Sequence, residues 1–174
     1  MKIAAVQMVS TPSVDENLDR ARALIAEAAA GGAELVALPE YFCLMGRRDV
    51  DKLDVAEDDG HGPIQAMLAE TARRHGLWLA GGTLPLRIPG RSDRAHNTTL
   101  VFGPDRARFA RYHKLHLFEV DLPTGESWRE SDASAPGEMA AVVDTPLGAL
   151  GLSICSALRF PDLYRGLRDA GATI

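Results

Sequence analysis

The order of strand and helix signals at the start of the chain constrains its fold more than any other feature. Lys2–Met8 is an apolar run suited to a buried strand, and Glu34–Leu38 is a second one. Between them, Ser13–Glu16 has the form of a helix capping box, and apolar residues recur at helical spacing over Val14–Ala28 before Gly31-Gly32 ends the helix. This pattern predicts a β-α-β unit, because parallel strands need such a crossover.

The rest of the chain alternates further helices and strands with polar segments. Helices are predicted over Pro63–Gly76 and Phe160–Ala170. Strand signals occur at Leu77–Thr83, in a hairpin of Asn97–Phe102 with Ala107–Tyr112, and in a hairpin of Met139–Thr145 with Ala149–Ile154. Loops are expected at 47–62, 85–94 and 122–138. We therefore expect one α/β domain with a mixed sheet, and functional residues where strands end in loops.

Charge and composition exclude several classes of protein. The 174 residues carry 19 basic and 24 acidic side chains, and the net charge of −5 argues against a nucleic-acid or anionic-membrane surface. No apolar run approaches the roughly 20 residues of a membrane span, and no signal-peptide pattern occurs. Two cysteines, Cys43 and Cys155, are too few for a secreted disulfide framework. We expect a soluble, cytoplasmic protein without nucleic-acid or membrane partners.

Cys155 is the first candidate for chemistry. It follows the apolar run Leu150–Ile154 and precedes a predicted helix start, where backbone N–H groups and the helix dipole would favour its nucleophilic thiolate. A lone cysteine in an apolar context is also a common packing residue, so its position leaves both interpretations open. Cys43 lies in an apolar stretch and is interpreted as a packing residue.

Glu40 and Lys114 are two further candidates. Glu40 follows a strand and has Pro39 and two aromatic neighbours, so it is suited either to accept a proton or to pair with an arginine or a helix terminus. Lys114 lies among aromatic and aliphatic residues, where a buried lysine needs a carboxylate, although an exposed lysine is the default. His113 and His116 flank it, but two histidines without a third ligand make a poor zinc site, and we expect no metal.

Three motifs occur in order along the chain: Leu38-Pro39-Glu40, then Tyr112–Phe118, then Gly151–Cys155 followed by Leu158–Arg165. Together they resemble the nitrilase superfamily of carbon–nitrogen hydrolases. Within it the chain looks most like the Nit-type amidases, the ω-amidase and deaminated-glutathione amidase group, and the resemblance covers essentially the whole chain. It implies an αββα sandwich, a homodimer or larger assembly, and no cofactor.

The resemblance also implies roles for individual residues. Glu40, Lys114 and Cys155 would form a Glu-Lys-Cys catalytic triad, and Glu130 would be a second, supporting glutamate. The backbone N–H of Ser156 would stabilise an oxyanion together with Lys114. The implied reaction is hydrolysis of a carbon–nitrogen bond in a small carboxylate-bearing amide, with release of ammonia and a thioester intermediate.

The chain departs from the family pattern directly after the cysteine. Ser156 and Ala157 stand where the family usually has an aromatic and then an acidic residue, which would leave Arg159 without its partner. Arg159 is the first candidate for binding a substrate carboxylate, and Arg47, Arg48 and Arg129 are others. Two alternatives stay open: a nitrilase or acyltransferase with the same triad, and a catalytically impaired scaffold or interaction protein.

The length of the chain bears on the second alternative, the catalytically impaired scaffold. A chain of 174 residues is sufficient for one domain, but members of the resembled family are longer. We expect residues 1–174 to be a C-terminally truncated carbon–nitrogen hydrolase domain that holds the whole triad without the second half of the sandwich. Such a chain would be weakly stable or inactive unless a partner or the missing segment completes the sheet.

Overall fold

A mixed sheet of seven strands organises the computed structural model, which describes residues 1–174. Its strands are β1 (Ile3–Ala5), β2 (Leu35–Ala37), β3 (Trp78–Ala80), β4 (Leu84–Ile88), β5 (Arg91–Phe102), β6 (Arg108–His113) and β9 (Ser134–Ala135). Strands β1, β2 and β3 are parallel, which confirms the predicted β-α-β unit. The long strand β5 pairs antiparallel with β3 and β4 along one edge, and with β6 (antiparallel) and β9 (parallel) along the other.

Two small antiparallel sheets complete the β-structure. Strand β7 (Glu119–Asp121) pairs with β8 (Ser127–Arg129), and β10 (Val142–Thr145) pairs with β11 (Gly148–Gly151). The β10–β11 pair is the hairpin predicted around Pro146-Leu147-Gly148, and it forms a second layer over the large sheet.

Four α-helices flank these sheets: α1 (Val14–Ala30), α2 (Asp51–Asp54), α3 (Pro63–His75) and α4 (Pro161–Asp169). The predicted capping box of α1 forms in part. Ser13 Oγ accepts the N–H of Glu16 at 3.4 Å, while the Glu16 carboxylate accepts the hydroxyl of Thr11 at 3.0 Å. None of the four helices combines the length and the apolar character needed to cross a lipid bilayer.

The core explains why these elements stack in the order helix, sheet, sheet, helix. Helices α1 and α3 pack on one face of the large sheet, and the β10–β11 hairpin packs on the other. Successive side chains of β10 point in opposite directions: Val143 packs toward the large sheet, and Val142 packs toward Leu163 and Leu167 of α4. The expected αββα layering of the nitrilase type is therefore confirmed.

The predicted loop at 85–94 is wrong. Strands β4 and β5 form a hairpin there that turns at Pro89-Gly90, with Gly90 at a φ of 75°. Leu84 and Leu86 are buried, but residues 91–93 are exposed. The tip of this hairpin therefore lacks the apolar alternation by which a half-buried strand is recognised.

The two other predicted loops contain more structure than their polar composition suggested. The segment 122–138 holds β8, a 3-10 turn at Glu130–Asp132 and β9. The segment 47–62 holds α2 and two buried charged residues, Lys52 and Glu57. Charged side chains are seldom buried without partners, so the partners had to be known before burial could be inferred.

Glu57 caps the N-terminus of α3 from a position outside the helix. Its carboxylate accepts a hydrogen bond from the backbone N–H of Ile64. It also accepts the backbone N–H of Gln65 at 3.1 Å and the side-chain amide of Gln65 at 3.0 Å. A carboxylate at a helix N-terminus also interacts favourably with the helix dipole. Gly62 makes room for this cap, because a Cβ atom there would lie 2.1 Å from the Glu57 carboxyl carbon.

We expect Glu57→Ala to lower the free energy of unfolding by about 2 kcal/mol, since three donors lose a buried carboxylate. Urea unfolding followed by circular dichroism measures the change. Asp58→Ala is the matched control, because the Asp58 side chain is 69% exposed and its loss should change stability by about 0.5 kcal/mol or less. Equal stability of the two variants would contradict this role of Glu57.

Candidate active site

Glu40, Lys114 and Cys155 are brought together by chain segments that leave the ends of strands. Glu40 lies three residues after β2, Lys114 directly follows β6, and Cys155 lies four residues after β11. All three line one cavity of about 570 Å³. The Nζ atom of Lys114 lies 3.0 Å from Oε1 of Glu40. These residues, which are far apart in sequence, therefore form a single site.

Lys114 is buried between two carboxylates. Its Nζ atom donates to Oε2 of Glu130 at 2.8 Å as well as to Glu40, and its residue is 1% exposed. Asn97 links the same two carboxylates, because its Nδ2 lies 2.8 Å from Glu40 Oε1 and 3.3 Å from Glu130 Oε1. Glu130 also accepts the hydroxyl of Tyr41 at 3.3 Å and the backbone N–H of Phe118 at 2.8 Å. Every charge in the cluster thus has an opposite charge or a hydrogen-bond donor beside it.

The pKa values in this cluster follow from these contacts. Burial alone would lower the pKa of Lys114, but hydrogen bonding to Glu130 and the charge of Glu40 hold it above its usual value. Burial alone would raise the pKa of Glu130, but hydrogen bonds from Lys114 and Phe118 hold it below its usual value. Their mutual stabilisation is complete between the ordinary values of 4.5 and 10.5. It is lost as pH falls through the lowered pKa or rises through the raised one.

The surroundings of Cys155 favour the protonated form of its thiol. Burial raises its pKa above the ordinary value, and the negative charge of Glu40 raises it further, more than Lys114 and the Ser156 N–H lower it. The expectation that a helix terminus favours the thiolate is wrong, because Cys155 begins a 3-10 turn (Cys155–Arg159) and helix α4 starts only at Pro161. A nucleophilic role for Cys155 therefore requires a base, and Glu40 is the adjacent carboxylate.

Two residues of the site have left-handed backbone conformations that non-glycine residues seldom adopt. Tyr41, next to Glu40, has φ of 56°, and Cys155 has φ of 48°. Such conformations cost roughly 1–3 kcal/mol each and persist only where neighbours enforce them. The N–H of Tyr41 donates to Thr83 Oγ1 at 2.9 Å, and the hydroxyl of Ser156 donates to the carbonyl of His116 at 2.7 Å.

The comparison with known families agrees with this geometry. The family model described as carbon-nitrogen hydrolase matches residues 2–174. The chain belongs to the carbon–nitrogen hydrolase family.

Two curated relatives are similar to this chain in sequence, and one solved structure is similar to it in fold. The chain is 39% identical over 98% of its length to a deaminated glutathione amidase of Synechocystis sp., and 35% identical over 99% to the omega-amidase NIT2-A of Xenopus laevis. It spans 63% and 61% of the lengths of these two relatives. The crystal structure of the NitFhit protein of Caenorhabditis elegans matches with a TM-score of 0.86 and 36% identity, over 98% of this chain and 41% of that one.

The departures from the family pattern after Cys155 have a local structural explanation. Ser156 is buried, and its hydroxyl bond to His116 holds the turn in place. Ala157 is fully buried against Leu163 and Leu167, where a carboxylate would lose its solvation. A small residue therefore fits this position in this chain.

Arg159 and the two histidines beside Lys114 lie apart from the cavity. The guanidinium of Arg159 lies 6.0 Å from the ring centre of Phe118, on which it stacks, and Arg159 does not line the cavity. His113 stacks on His96 at 4.1 Å, and His116 stacks on Phe160 at 3.7 Å.

Three residues of the site were not anticipated from the sequence. Asn97 is the first residue of the predicted strand Asn97–Phe102 and has polar neighbours, so the local pattern gives no signal for its buried role. Tyr41 is adjacent to Glu40, but nothing in the local pattern connects it with Glu130. Lys52 lines the cavity while donating to Ser134 Oγ at 2.9 Å, and no sequence signal links those two segments.

We expect iodoacetamide to label Cys155 and to spare Cys43 in the folded chain. Cys43 is 1% exposed and burial raises its pKa to about 12, whereas Cys155 is accessible from the cavity. Replacement of Glu40 by Gln should shift the pH profile of Cys155 labelling to lower pH, because a negative charge beside the thiol is removed.

Mass spectrometry of labelled peptides over a pH series measures both effects. Glu27→Gln, a change at an exposed position of α1, is the control and should leave the Cys155 profile unchanged. Comparable labelling of both cysteines, or a shift to higher pH in Glu40→Gln, would contradict the description of the site.

We expect Lys114→Met to lower the free energy of unfolding by about 3 kcal/mol or more, since two carboxylates are left without their cation. Adding Glu130→Gln to that variant should restore part of the loss, because one of the two negative charges is removed. Urea unfolding of the single and double variants measures this, with the exposed Lys2→Met as control. A double variant less stable than Lys114→Met would count against the coupling.

Proposed function

We propose that this chain hydrolyses the carbon–nitrogen bond of a small carboxylate-bearing amide and releases ammonia through a cysteine thioester. The observation that carries the proposal is the Lys114 ammonium held between Glu40 and Glu130, in the same cavity as the thiol of Cys155. A nucleophile, a base and a fixed cation within one cavity are the groups that amide cleavage requires.

The first half-reaction breaks the amide bond. Glu40 takes the proton of the Cys155 thiol as Sγ attacks the carbonyl carbon, which gives a tetrahedral intermediate with a negative oxygen. The raised pKa of Cys155 makes this proton transfer necessary, because little thiolate exists at neutral pH. The intermediate collapses when the carbon–nitrogen bond breaks, and Glu40 returns the proton to the leaving ammonia.

The second half-reaction releases the acid. Glu40, again a carboxylate, takes a proton from a water molecule that attacks the thioester carbon, and the carbon–sulfur bond then breaks. The proton passes to Sγ, and the products are the free carboxylic acid and the resting thiol. Lys114 stays charged throughout, since its contacts with Glu130 and Glu40 hold its pKa above the ordinary value.

The oxyanion of each tetrahedral intermediate needs donors that are already in place. The Lys114 ammonium is one, and the backbone N–H of Ser156, next to the Cys155 sulfur, is the second. The hydroxyl bond from Ser156 to the His116 carbonyl supports this arrangement, because it fixes the peptide that carries the N–H.

The names of the relatives support a substrate class. One relative is a deaminated glutathione amidase and another is an omega-amidase, so the test substrates are deaminated glutathione and α-ketoglutaramate.

We further propose that residues 1–174 act as a carbon–nitrogen hydrolase domain in a cytoplasmic homodimer or larger assembly. Exposed apolar side chains of Leu158, Phe160 and Tyr164 support a surface for association. That the chain is C-terminally truncated stays a prediction.

We expect the chain, assembled with its partner as proposed above, to release at least one equivalent of ammonia from one of these two amides, since all three reacting residues are present. Cys155→Ala should abolish release, and Glu40→Gln should slow it by about a hundredfold or more. A coupled ammonia assay and the intact mass of the acylated protein measure the two steps. Cys43→Ala is the matched control and should retain activity.

The same samples distinguish the alternatives. Hydroxylamine captures an acyl group as a hydroxamate, and a nitrile substrate tests for nitrilase activity. A folded chain that neither releases ammonia nor becomes acylated at Cys155 would contradict the proposal and favour a scaffold role. Equal release by Cys155→Ala would contradict it as well.

A further inference from the structure

Charged side chains that line the site cavity are almost all neutralised by a partner. The cations are Arg47, Arg48, Lys52, Lys114 and Arg129, and the anions are Glu40, Asp49, Glu130 and Asp132. Arg48 pairs with Asp51 at 2.9 Å, Lys52 with Asp49 at 2.7 Å, and Arg129 with Asp121 at 2.6 Å. Lys114 is held by both glutamates. Arg47 is the exception among the cations, because no carboxylate lies within ion-pair distance of its guanidinium.

The backbone that carries Arg47 is fixed, although its side chain is exposed. Oδ2 of Asp51 accepts the N–H groups of both Arg47 and Arg48 at 2.9 Å. Gly46 precedes them in a tight turn, since a Cβ atom there would lie 2.9 Å from the Arg48 carbonyl oxygen and from the Asp51 Cβ. The guanidinium of Arg47 is thus attached at a defined point of the cavity rim with all its donors free.

The other arginines near the site already interact with other side chains. Recruiting Arg48 or Arg129 to a ligand would first require breaking an existing ion pair. Arg159 stacks on Phe118 and does not line the cavity. Asp132 carries the remaining unpaired negative charge, but it lies close enough to Arg129 to raise the pKa of that guanidinium. A second anion in the cavity therefore finds its free partner at Arg47.

We propose that Arg47 binds the carboxylate at the acid end of the substrate and thereby selects carboxylate-bearing amides over neutral ones; this rests on the proposed function. A guanidinium presents paired donors that match the two oxygens of a carboxylate. Met45, Val50 and Trp128 lie on the same rim with 50%, 43% and 51% of their surface exposed, and they can cover the methylene groups between the acid end and the amide.

The first test compares two amides of equal length, succinamate and butyramide, which differ in a carboxylate and a methyl group. We expect kcat/KM for succinamate to exceed that for butyramide by about tenfold or more. Arg47→Met should raise KM for succinamate by a similar factor with little change in kcat, and should leave butyramide hydrolysis unchanged. Arg47→Lys should recover part of the loss, because the charge returns without the paired donors.

Arg48→Met is the matched comparison, since it removes the neighbouring cation that Asp51 already neutralises. We expect it to raise KM for succinamate by less than about threefold. If Arg48→Met and Arg47→Met act equally, the general charge of the rim and not Arg47 determines the preference, and the proposal is wrong. It is equally wrong if Arg47→Met impairs both amides alike.

The second test does not depend on turnover. Succinate at millimolar concentration should slow the labelling of Cys155 by iodoacetamide in the wild-type chain, relative to sodium chloride of equal ionic strength, and should not slow it in Arg47→Met. Absence of protection in the wild type would overturn the Arg47 proposal even if amides are hydrolysed. Protection that depends on Arg47 in a chain that hydrolyses neither amide would support the carboxylate site and count against the proposed reaction.

Discussion

A single buried ammonium group determines the arrangement of this site. Lys114 lies inside the protein, where its charge is tolerated only because Glu40 and Glu130 face it at hydrogen-bond distance. Asn97 then ties the two carboxylates to each other, so that neither can turn away without leaving another group unpaired. The same contacts that compensate the desolvation of the buried lysine also keep it charged and hold Glu40 beside the Cys155 thiol. The contacts that stabilise the buried lysine are therefore the same contacts that position the reacting groups.

The layered fold supplies the positions from which these groups meet. Helices on one face and the β10–β11 hairpin on the other bury the large sheet, which leaves the segments after its strands to carry polar residues. Two of those segments contain strained residues, Tyr41 and Cys155. The N–H of Tyr41 donates to the hydroxyl of Thr83. The turn of Cys155 is held by its own Ser156, whose hydroxyl donates to the carbonyl of His116. The strain is thus offset by packing elsewhere, which is how a folded scaffold can present a side chain in an uncommon orientation.

The sequence was sufficient to predict much of this arrangement, and the failures have physical reasons. The parallel strands, the helices α1, α3 and α4 and the β10–β11 hairpin all follow from apolar periodicity and end signals. The β4–β5 hairpin was missed because its tip is exposed on both faces and carries no alternation. Glu40, Lys114 and Cys155 could be selected by motif, but the pKa direction at Cys155 could not, because it depends on burial and on the distance to Glu40. The role of Asn97, which bonds to Glu40 and Glu130, cannot be recognised from a local sequence pattern either, because it also depends on distances that only the fold sets.

The sequence distances within the charged cluster bear on how the chain folds. Lys114 and Glu40 are 74 positions apart, and Asn97 and Glu40 are 57 apart. These contacts close long loops, so they form only when most of the sheet is already in place. Until Glu40 is in place, the only carboxylate of the cluster that is near Lys114 in sequence is Glu130, 16 positions away, so burial of the ammonium lacks part of its compensation and is unfavourable. The cluster thus disfavours compact intermediates in which the sheet is assembled wrongly. Because such intermediates are less stable, folding becomes more nearly all-or-none.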